Sequence, residues 1–283
     1  MTPSVSSFHC LICRGRDFED VIRYDAPDSY EQAVGVPGSG YARAWVRCRQ
    51  CGFHFSLYSR DPAILDRLYE GGYRESSAVW RRESTEATFH RVIALPAGQS
   101  ETKTRVAWIK AEMDRARAAE LLPRTPPPWR MVDVGGATGI MAYEFQDADW
   151  RTMVVDPAPE GRFVEAHGVA YLQSAYRPGL VSGPVDLFTL VYALEHLSDP
   201  RGILAALRRD LNPGGGLYVE VPDAAAFGRK PADDDIFNAC HLWMFDPRSL
   251  VTLLAESGFE TLKLERTKTI RGHYATMILA AAS

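Results

Sequence analysis

Two Cys-x-x-Cys pairs, Cys10 with Cys13 and Cys48 with Cys51, stand with 34 residues between them. Four thiolates in two such knuckles can close a tetrahedral shell around one ion and leave no position for water. The spacing therefore predicts a structural zinc rather than a catalytic metal. The competing reading, free or redox-active thiols, finds no thioredoxin-like βαβ unit around these residues. His9 and His54 flank the knuckles and could serve as substitute ligands, but four cysteines make that unnecessary. Cys240, 189 residues beyond Cys51, is expected to be a buried or cleft-lining thiol.

A second constellation follows the apolar run RMVDV. In VDVGGATGI, Asp133, Gly135, Gly136, Ala137 and Gly139 have the spacing of a turn that carries a strand into a helix. Glycine permits the sharp turn and lets a ligand approach without a Cβ in the way, and the helix behind it offers free N–H groups. Such a turn is weak evidence alone. Asp156 strengthens it, closing the next apolar run, TMVVD, where a carboxylate can accept hydrogen bonds from both hydroxyls of a ribose. A nicotinamide cofactor would call for G-x-G-x-x-G, and no glycine stands at 138 or 140 to complete it.

These residues need a frame. Residues 1–60 are rich in Gly, Ser and Pro with β-prone pieces such as YARAWVRC and FHFSLY, and read as a zinc-ribbon-like module. Residues 61–128 read as a helical connecting or lid region. One helix starts at Asp61-Pro62, carries Ile64, Leu65, Leu68 and Tyr69, and stops at Gly71-Gly72; another spans roughly 101–122 with Val106, Ile109, Met113 and Leu121 on one face. RTPPPW forms a stiff linker. From 129 to 283 strand-like and helix-like segments alternate. The strands RMVDV, TMVVD, AYLQ, DLFTLVY, GLYVEVP, ETLKLER and YATMILAA predict an α/β domain with a Rossmann-like, seven-stranded, mainly parallel sheet.

Composition sets the limits. With 46% hydrophobic and 24% charged residues the chain can build a sizeable core. It has no apolar run long enough for a membrane span and no signal-like start, so the expectation is a cytoplasmic protein without membrane contact. The net charge is −4 and unevenly spread: residues 1–130 hold 19 Lys+Arg against 16 Asp+Glu, slightly basic, and the remainder 13 against 20, clearly acidic. A general nucleic-acid binder needs clustered cations, so this balance argues against nucleic acid as a partner and for a small molecule.

The 101–283 segment resembles the class I S-adenosylmethionine-dependent methyltransferases. Asp186 stands at the acidic opening of that family's fourth strand, YALEHLSDP matches the strand end and the helix after it, and LNPGGGLYVEVP matches the fifth strand. The resemblance implies S-adenosylmethionine as cofactor. Gly135 to Gly139 would pack against its methionine part, Asp156 would hold the ribose, and Pro157 with Gln173, Ser174 and Ala175 would meet the adenine. Two positions depart from the usual pattern: Ala137 replaces a Gly or Cys, and Gln173-Ser174 replaces an acidic residue. CLIC, VRCRQCGFHFS and ILDRLYEGGY ahead of such a domain are similar to the arrangement in sugar C-methyltransferases and related enzymes of natural-product and polysaccharide pathways. Those C-methyltransferases carry a further domain that this sequence does not show after its last strand.

For methyl transfer, positioning supplies much of the acceleration, and a base must take the acceptor's proton. His196 is the first candidate, with Glu195 as its orienter or a substrate contact; His241, ahead of the WMF run, is the second. Tyr69, Tyr73 and Tyr192 could line an acceptor pocket, and Arg81, Arg82 and Arg91 could hold an anionic group, although core packing and solvated surface charge are the plainer roles for these types. The expected activity is methylation of a sugar, sugar nucleotide or natural-product intermediate. An RNA methyltransferase gripping RNA through its zinc module, and a non-catalytic cofactor-binding protein, are the alternatives.

Overall fold

The computed structural model describes residues 8–57, 68–69, 83–123, 125–270 and 272–282. The helix expected to start at Asp61 falls outside this set except for Leu68 and Tyr69, as do Tyr73, Arg81 and Arg82. Two sheets organise the chain. The larger one takes β4 (Trp129–Val134), β5 (Trp150–Asp156), β6 (Ala170–Gln173), β7 (Val185–Val191), β8 (Leu211–Pro222), β10 (Phe259–Lys268) and β11 (Tyr274–Ala282), in the order β10-β11-β8-β7-β4-β5-β6. Strands β4 to β8 pair in parallel; β11 is antiparallel to both β8 and β10. The parallel strands read as near-continuous apolar runs because both of their faces are covered. In β7, for instance, Leu187, Phe188 and Leu190 are fully buried.

The chain leaves β4 towards β5 on one side and returns to β7 on the other, so the strand order reverses at β4. In an open α/β sheet the crevice at such a reversal, beyond the carboxyl ends of the strands, is where ligands bind. Three connections meet there: the turn after β4, the end of β5 at Asp156, and the 3₁₀ turn Leu194–His196 after β7.

The smaller sheet is antiparallel, in the order β1 (Phe18–Tyr24), β2 (Arg43–Cys48), β3 (His54–Leu57), β9 (Trp243–Met244). Its fourth strand thus comes from the 223–246 segment inserted after β8. Trp45 Nε1 and Arg43 Nη1 both donate to the carbonyl of Phe237, at 3.1 and 2.8 Å, and Ala239 N donates to Asp28 Oδ2 at 2.6 Å. Cys10, Leu11, Phe53 and Phe55 join the same buried cluster as Val132, Phe188 and Leu204 of the large sheet and its helices, and Arg201 Nη2 donates to Leu11 O at 2.8 Å. The N-terminal sheet therefore shares its core with the larger domain.

Helices α1 (Ser29–Ala33), α2 (Thr85–Ile93), α3 (Glu101–Ala118), α4 (Ile140–Phe145), α5 (Pro200–Asp210) and α6 (Pro247–Glu256) complete the fold. Ser100 caps α3 by accepting from Lys103 N, and Val106, Ile109 and Met113 are buried on its inner face. The helix ends earlier than its apolar pattern suggests. Glu120 takes a positive φ of 60°, which turns the chain out of helical phase, so Leu121 is exposed and Leu122 fills the core position instead.

Arg105 of α3 reaches the large sheet and makes a two-pronged, buried ion pair with Glu220 of β8, whose Oε2 also accepts from Tyr218 Oη at 2.6 Å. Burial opposes the charge on Glu220, yet Arg105 beside it holds the carboxyl below its usual range. Breaking one side of such a pair leaves an uncompensated charge in the core. Arg105→Met is expected to lower stability by about 3–5 kcal/mol in urea denaturation, and a second change, Glu220→Leu, to recover much of it.

Candidate active site and thiol cluster

The four cysteines converge as their spacing predicts. Cys10 and Cys51 sulfurs lie 3.5 Å apart, as do those of Cys13 and Cys48, and all four ligand atoms fall within 4.8 Å of one another. All are reduced. A tetrahedral zinc with about 2.3 Å bonds sets its sulfurs roughly 3.8 Å apart, so the cluster fits such a shell. Backbone N–H groups turn towards the sulfurs: Gly15 N lies 3.4 Å from Cys13 Sγ, and the knuckle backbones do the same for Cys10, Cys48 and Cys51. Burial pushes the Cys10 and Cys51 thiols up, and these bonds act against it, towards the thiolate form that a metal needs. The flanking histidines are otherwise engaged. His9 Nε2 accepts from Arg16 Nε at 2.8 Å, and His54 stacks on Phe227 with ring centroids 4.2 Å apart, its pKa pushed down to about 4 by burial.

At the carboxyl end of β4, Gly135 (φ 75°), Ala137 (φ 41°) and Gly139 (φ 67°) all occupy the left-handed region. A Cβ on Gly139 would lie 2.6 Å from Val164 Cγ1, and one on Gly136 would drive into the Asp133 carboxylate. Asp133 is buried, accepts from Thr189 Oγ1 at 2.6 Å, and has its pKa raised to about 6 by burial. It supports the turn from beneath. Asp156 is buried at the tip of β5, accepting from Ala137 N and Ala158 N at 2.9 Å each. Pro157 follows directly, Gln173 is the β6 residue in register with Asp156, and Ser174 N donates to Asp156 O at 3.0 Å. The sequence-predicted cofactor residues thus gather on one edge.

One contributor escaped the sequence reading. Gly161, in the 3₁₀ segment Pro159–His167, lies under the Ala137 carbonyl and the Tyr171 ring, and a Cβ there would collide with both. Nothing in the sequence around Gly161 announces this, since the neighbour that requires it belongs to the β4 turn.

Across the crevice, Gly135 faces Ala193; a Cβ added to the glycine would sit 3.0 Å from the alanine's. Directly after it, the 3₁₀ turn Leu194–His196 presents Glu195 and His196. His241 arrives from the insertion, its ring centroid 4.7 Å from that of His196. Leu242 N donates to Glu195 O at 2.8 Å, and Trp243 Nε1 to Leu197 O at 2.7 Å, which fixes the insertion on this turn. His196 Nδ1 is 3.0 Å from Cys240 O and 2.9 Å from Tyr69 Oη, so the lid-region tyrosine does reach the site. Burial, with His241 beside it, holds His196 down to about 3, and burial lowers His241 as well. Burial pushes the Glu195 carboxyl up to about 8. Both imidazoles are therefore neutral and able to offer a lone pair.

The other polar candidates serve elsewhere. Tyr192 (φ 51°) turns towards the Arg105–Glu220 pair, and burial raises its hydroxyl well above the usual phenol range. Arg91 pairs with Glu83 at 2.8 Å on the surface. Asp186 lies at the opposite edge of the sheet, accepting from Arg130 N and Asn212 Nδ2 at 2.8 and 2.7 Å. Cys240 is buried against Tyr30 and Leu68.

The strand order, the glycine turn after the first parallel strand and the acidic tip of the second define a class I S-adenosylmethionine-dependent methyltransferase. A methyltransferase-domain family model matches residues 106–264, more than half of the chain, and the chain belongs to that family. Among curated proteins it is similar to a ubiquinone biosynthesis O-methyltransferase of Xanthomonas oryzae pv. oryzae, 29% identical over 126 residues, covering 41% of this chain and 48% of that protein. It is also similar to a trans-aconitate 2-methyltransferase of Methylobacterium nodulans, 32% identical over 127 residues, with the same two coverages. The match thus spans about half the length of these relatives. Among solved structures, the fold resembles magnesium protoporphyrin IX methyltransferase of Synechocystis PCC 6803 (TM-score 0.52, 14% identity, 79% of this chain and 100% of that one). It also resembles 1,6-didemethyltoxoflavin-N1-methyltransferase of Burkholderia thailandensis (TM-score 0.52, 15% identity, 84% and 98%). No helix among the described residues is long and apolar enough to cross a membrane.

Gly161→Ala provides a local test of this edge. The added methyl must displace the Ala137 carbonyl, so S-adenosylmethionine affinity is expected to fall by about tenfold or more in calorimetry, with far-UV circular dichroism preserved.

Proposed function

We propose that this chain transfers the methyl group of S-adenosylmethionine to a small molecule, with the acceptor seated against Glu195, His196 and His241. The observation that carries this reading is the arrangement at the β4 reversal: the glycine turn and Asp156 on one flank, the two neutral imidazoles on the other, with Gly135 against Ala193 between them. When bound, the cofactor supplies an electrophilic methyl group. In this reading the Gly135–Gly139 turn takes its methionine part, Asp156 its ribose, and Pro157, Gln173 and Ser174 its adenine. His196 receives the acceptor's proton, Tyr69 and Cys240 O steady its ring, and His241 lies beside it on the same flank.

The acceptor is a sugar, sugar nucleotide or natural-product intermediate. The acidic overall charge favours this over nucleic acid, and both named curated relatives act, by their names, in small-molecule chemistry. The likeness to sugar C-methyltransferases rests on the cysteine pairs and the segment around Tyr69. We assign one zinc to Cys10, Cys13, Cys48 and Cys51. Its task is structural: it ties the N-terminal ribbon, through β3 and β9, to the segment bearing His241. Residues 1–60 act as the zinc module, 61–128 as the connecting lid and 129–283 as the methyltransferase domain, in a cytoplasmic enzyme.

Calorimetry should detect S-adenosylmethionine binding by the wild type and, for Asp156→Ala, a loss of roughly tenfold to a hundredfold from missing charged hydrogen bonds. Turnover on a panel of sugar nucleotides is expected, with His196→Asn slower by about 10²–10⁴. Equal cofactor binding by both proteins, or methylation confined to RNA, would overturn the reading.

A further inference from the structure

Glu195, His196 and His241 bring three ligand-type side chains together in one corner. Glu195 is wholly buried, and neither carboxylate oxygen has a hydrogen-bond partner among the described residues. Buried carboxylates are ordinarily paired, hydrogen-bonded or on a metal. The two histidines are oriented alike. A carbonyl can only accept, so His196 Nδ1, 3.0 Å from Cys240 O, carries the ring proton, and so does His241 Nδ1, 2.7 Å from Ile236 O. Both lone pairs are then at Nε2. His196 Nε2 lies 3.9 Å from Glu195 Oε1, and one ligand atom from each of the three residues falls within 4.8 Å of the others. An Nδ1–H held by a backbone carbonyl is the outer-shell device that orients and strengthens a metal-ligating imidazole.

We propose that Glu195, His196 and His241 form a second metal site, separate from the cysteine cluster, that takes a divalent first-row transition-metal ion and leaves positions open towards the acceptor. Two imidazoles and one carboxylate suit manganese, iron, cobalt or zinc, whereas the four thiolates select zinc. An ion with bonds of about 2.1 Å wants its ligands roughly 3.0–3.5 Å apart, so the three side chains draw in by about an ångström on binding.

The proposal rests on the methyltransferase reading and refines its proton step. With the ion in place the His196 lone pair is committed to it, and the ion eases loss of the acceptor's proton by polarising a bound oxygen. The proton leaves to solvent, the freed electron pair forms the bond to the methyl carbon, the sulfur–methyl bond breaks, and the neutral thioether departs. The acceptor class narrows accordingly to molecules whose reacting hydroxyl, or whose enolisable carbonyl beside the reacting carbon, can act as a ligand.

The test is a cobalt(II) titration of the full chain with one equivalent of zinc retained, read by absorption. Wild type is expected to bind one cobalt per chain with weak d–d bands and no intense thiolate-to-metal band. Glu195→Gln and His241→Asn, each checked for fold by circular dichroism, are expected to bind it at least about tenfold more weakly, a loss that even outer-shell changes can reach. Both variants should still bind S-adenosylmethionine. Failure of wild type to take up cobalt, uptake only with a thiolate band, or equal binding by both variants would overturn the proposal. None of these results would touch the methyltransferase reading, which the cofactor-binding and acceptor tests above decide separately.

Discussion

The short strand pairing between β3 and β9, with the Leu242 N–H bonded to Glu195 O beyond it, is the contact on which the rest of the acceptor side depends. On one side of it stand the cysteine knuckles and the N-terminal ribbon; on the other stands the turn that follows β7. A segment of more than twenty residues after β8 would otherwise pay a large ordering entropy. Trp45 and Arg43 reduce that freedom by converging on the Phe237 carbonyl, and Asp28 holds Ala239 N. His241 is thereby delivered to His196 by a sheet to which neither residue's own neighbours in sequence would have led.

The cofactor side is built by a different means. It relies on backbone conformations that few residues tolerate, at Gly135, Ala137 and Gly139, and on close packing of the 159–167 segment through Gly161. Asp156 spends part of its hydrogen-bonding capacity on Ala137 N and Ala158 N, locking the turn to the tip of β5. The proposed cofactor edge therefore rests on backbone conformation and close packing within the larger domain. That division matches the family relationship, whose shared region begins at Val106 and leaves the ribbon outside it.

Much of this was legible in the residues. The strands of the large sheet are apolar runs bounded by turn residues, and burial on both faces makes such runs unmistakable. The cysteines meet as their spacing predicts because two-residue knuckles leave little choice of geometry. Other features depend on contacts that sequence order conceals. The proximity of His196 and His241 requires β9 to join a sheet formed far upstream. Gly161 is explained only by the Ala137 carbonyl above it. Leu121 was expected in the core because the apolar pattern runs on past the helix, whereas the positive φ at Glu120 ends the helix and hands that place to Leu122.

The central claim is that cofactor and acceptor share one crevice at the β4 reversal, and a crystal structure of the chain with S-adenosylhomocysteine tests it most directly. The account predicts the ribose on Asp156, the amino-acid part along Gly135 to Gly139, and the sulfur directed towards His196 and His241. A ligand bound elsewhere, or one whose sulfur points away from the two histidines, would contradict it.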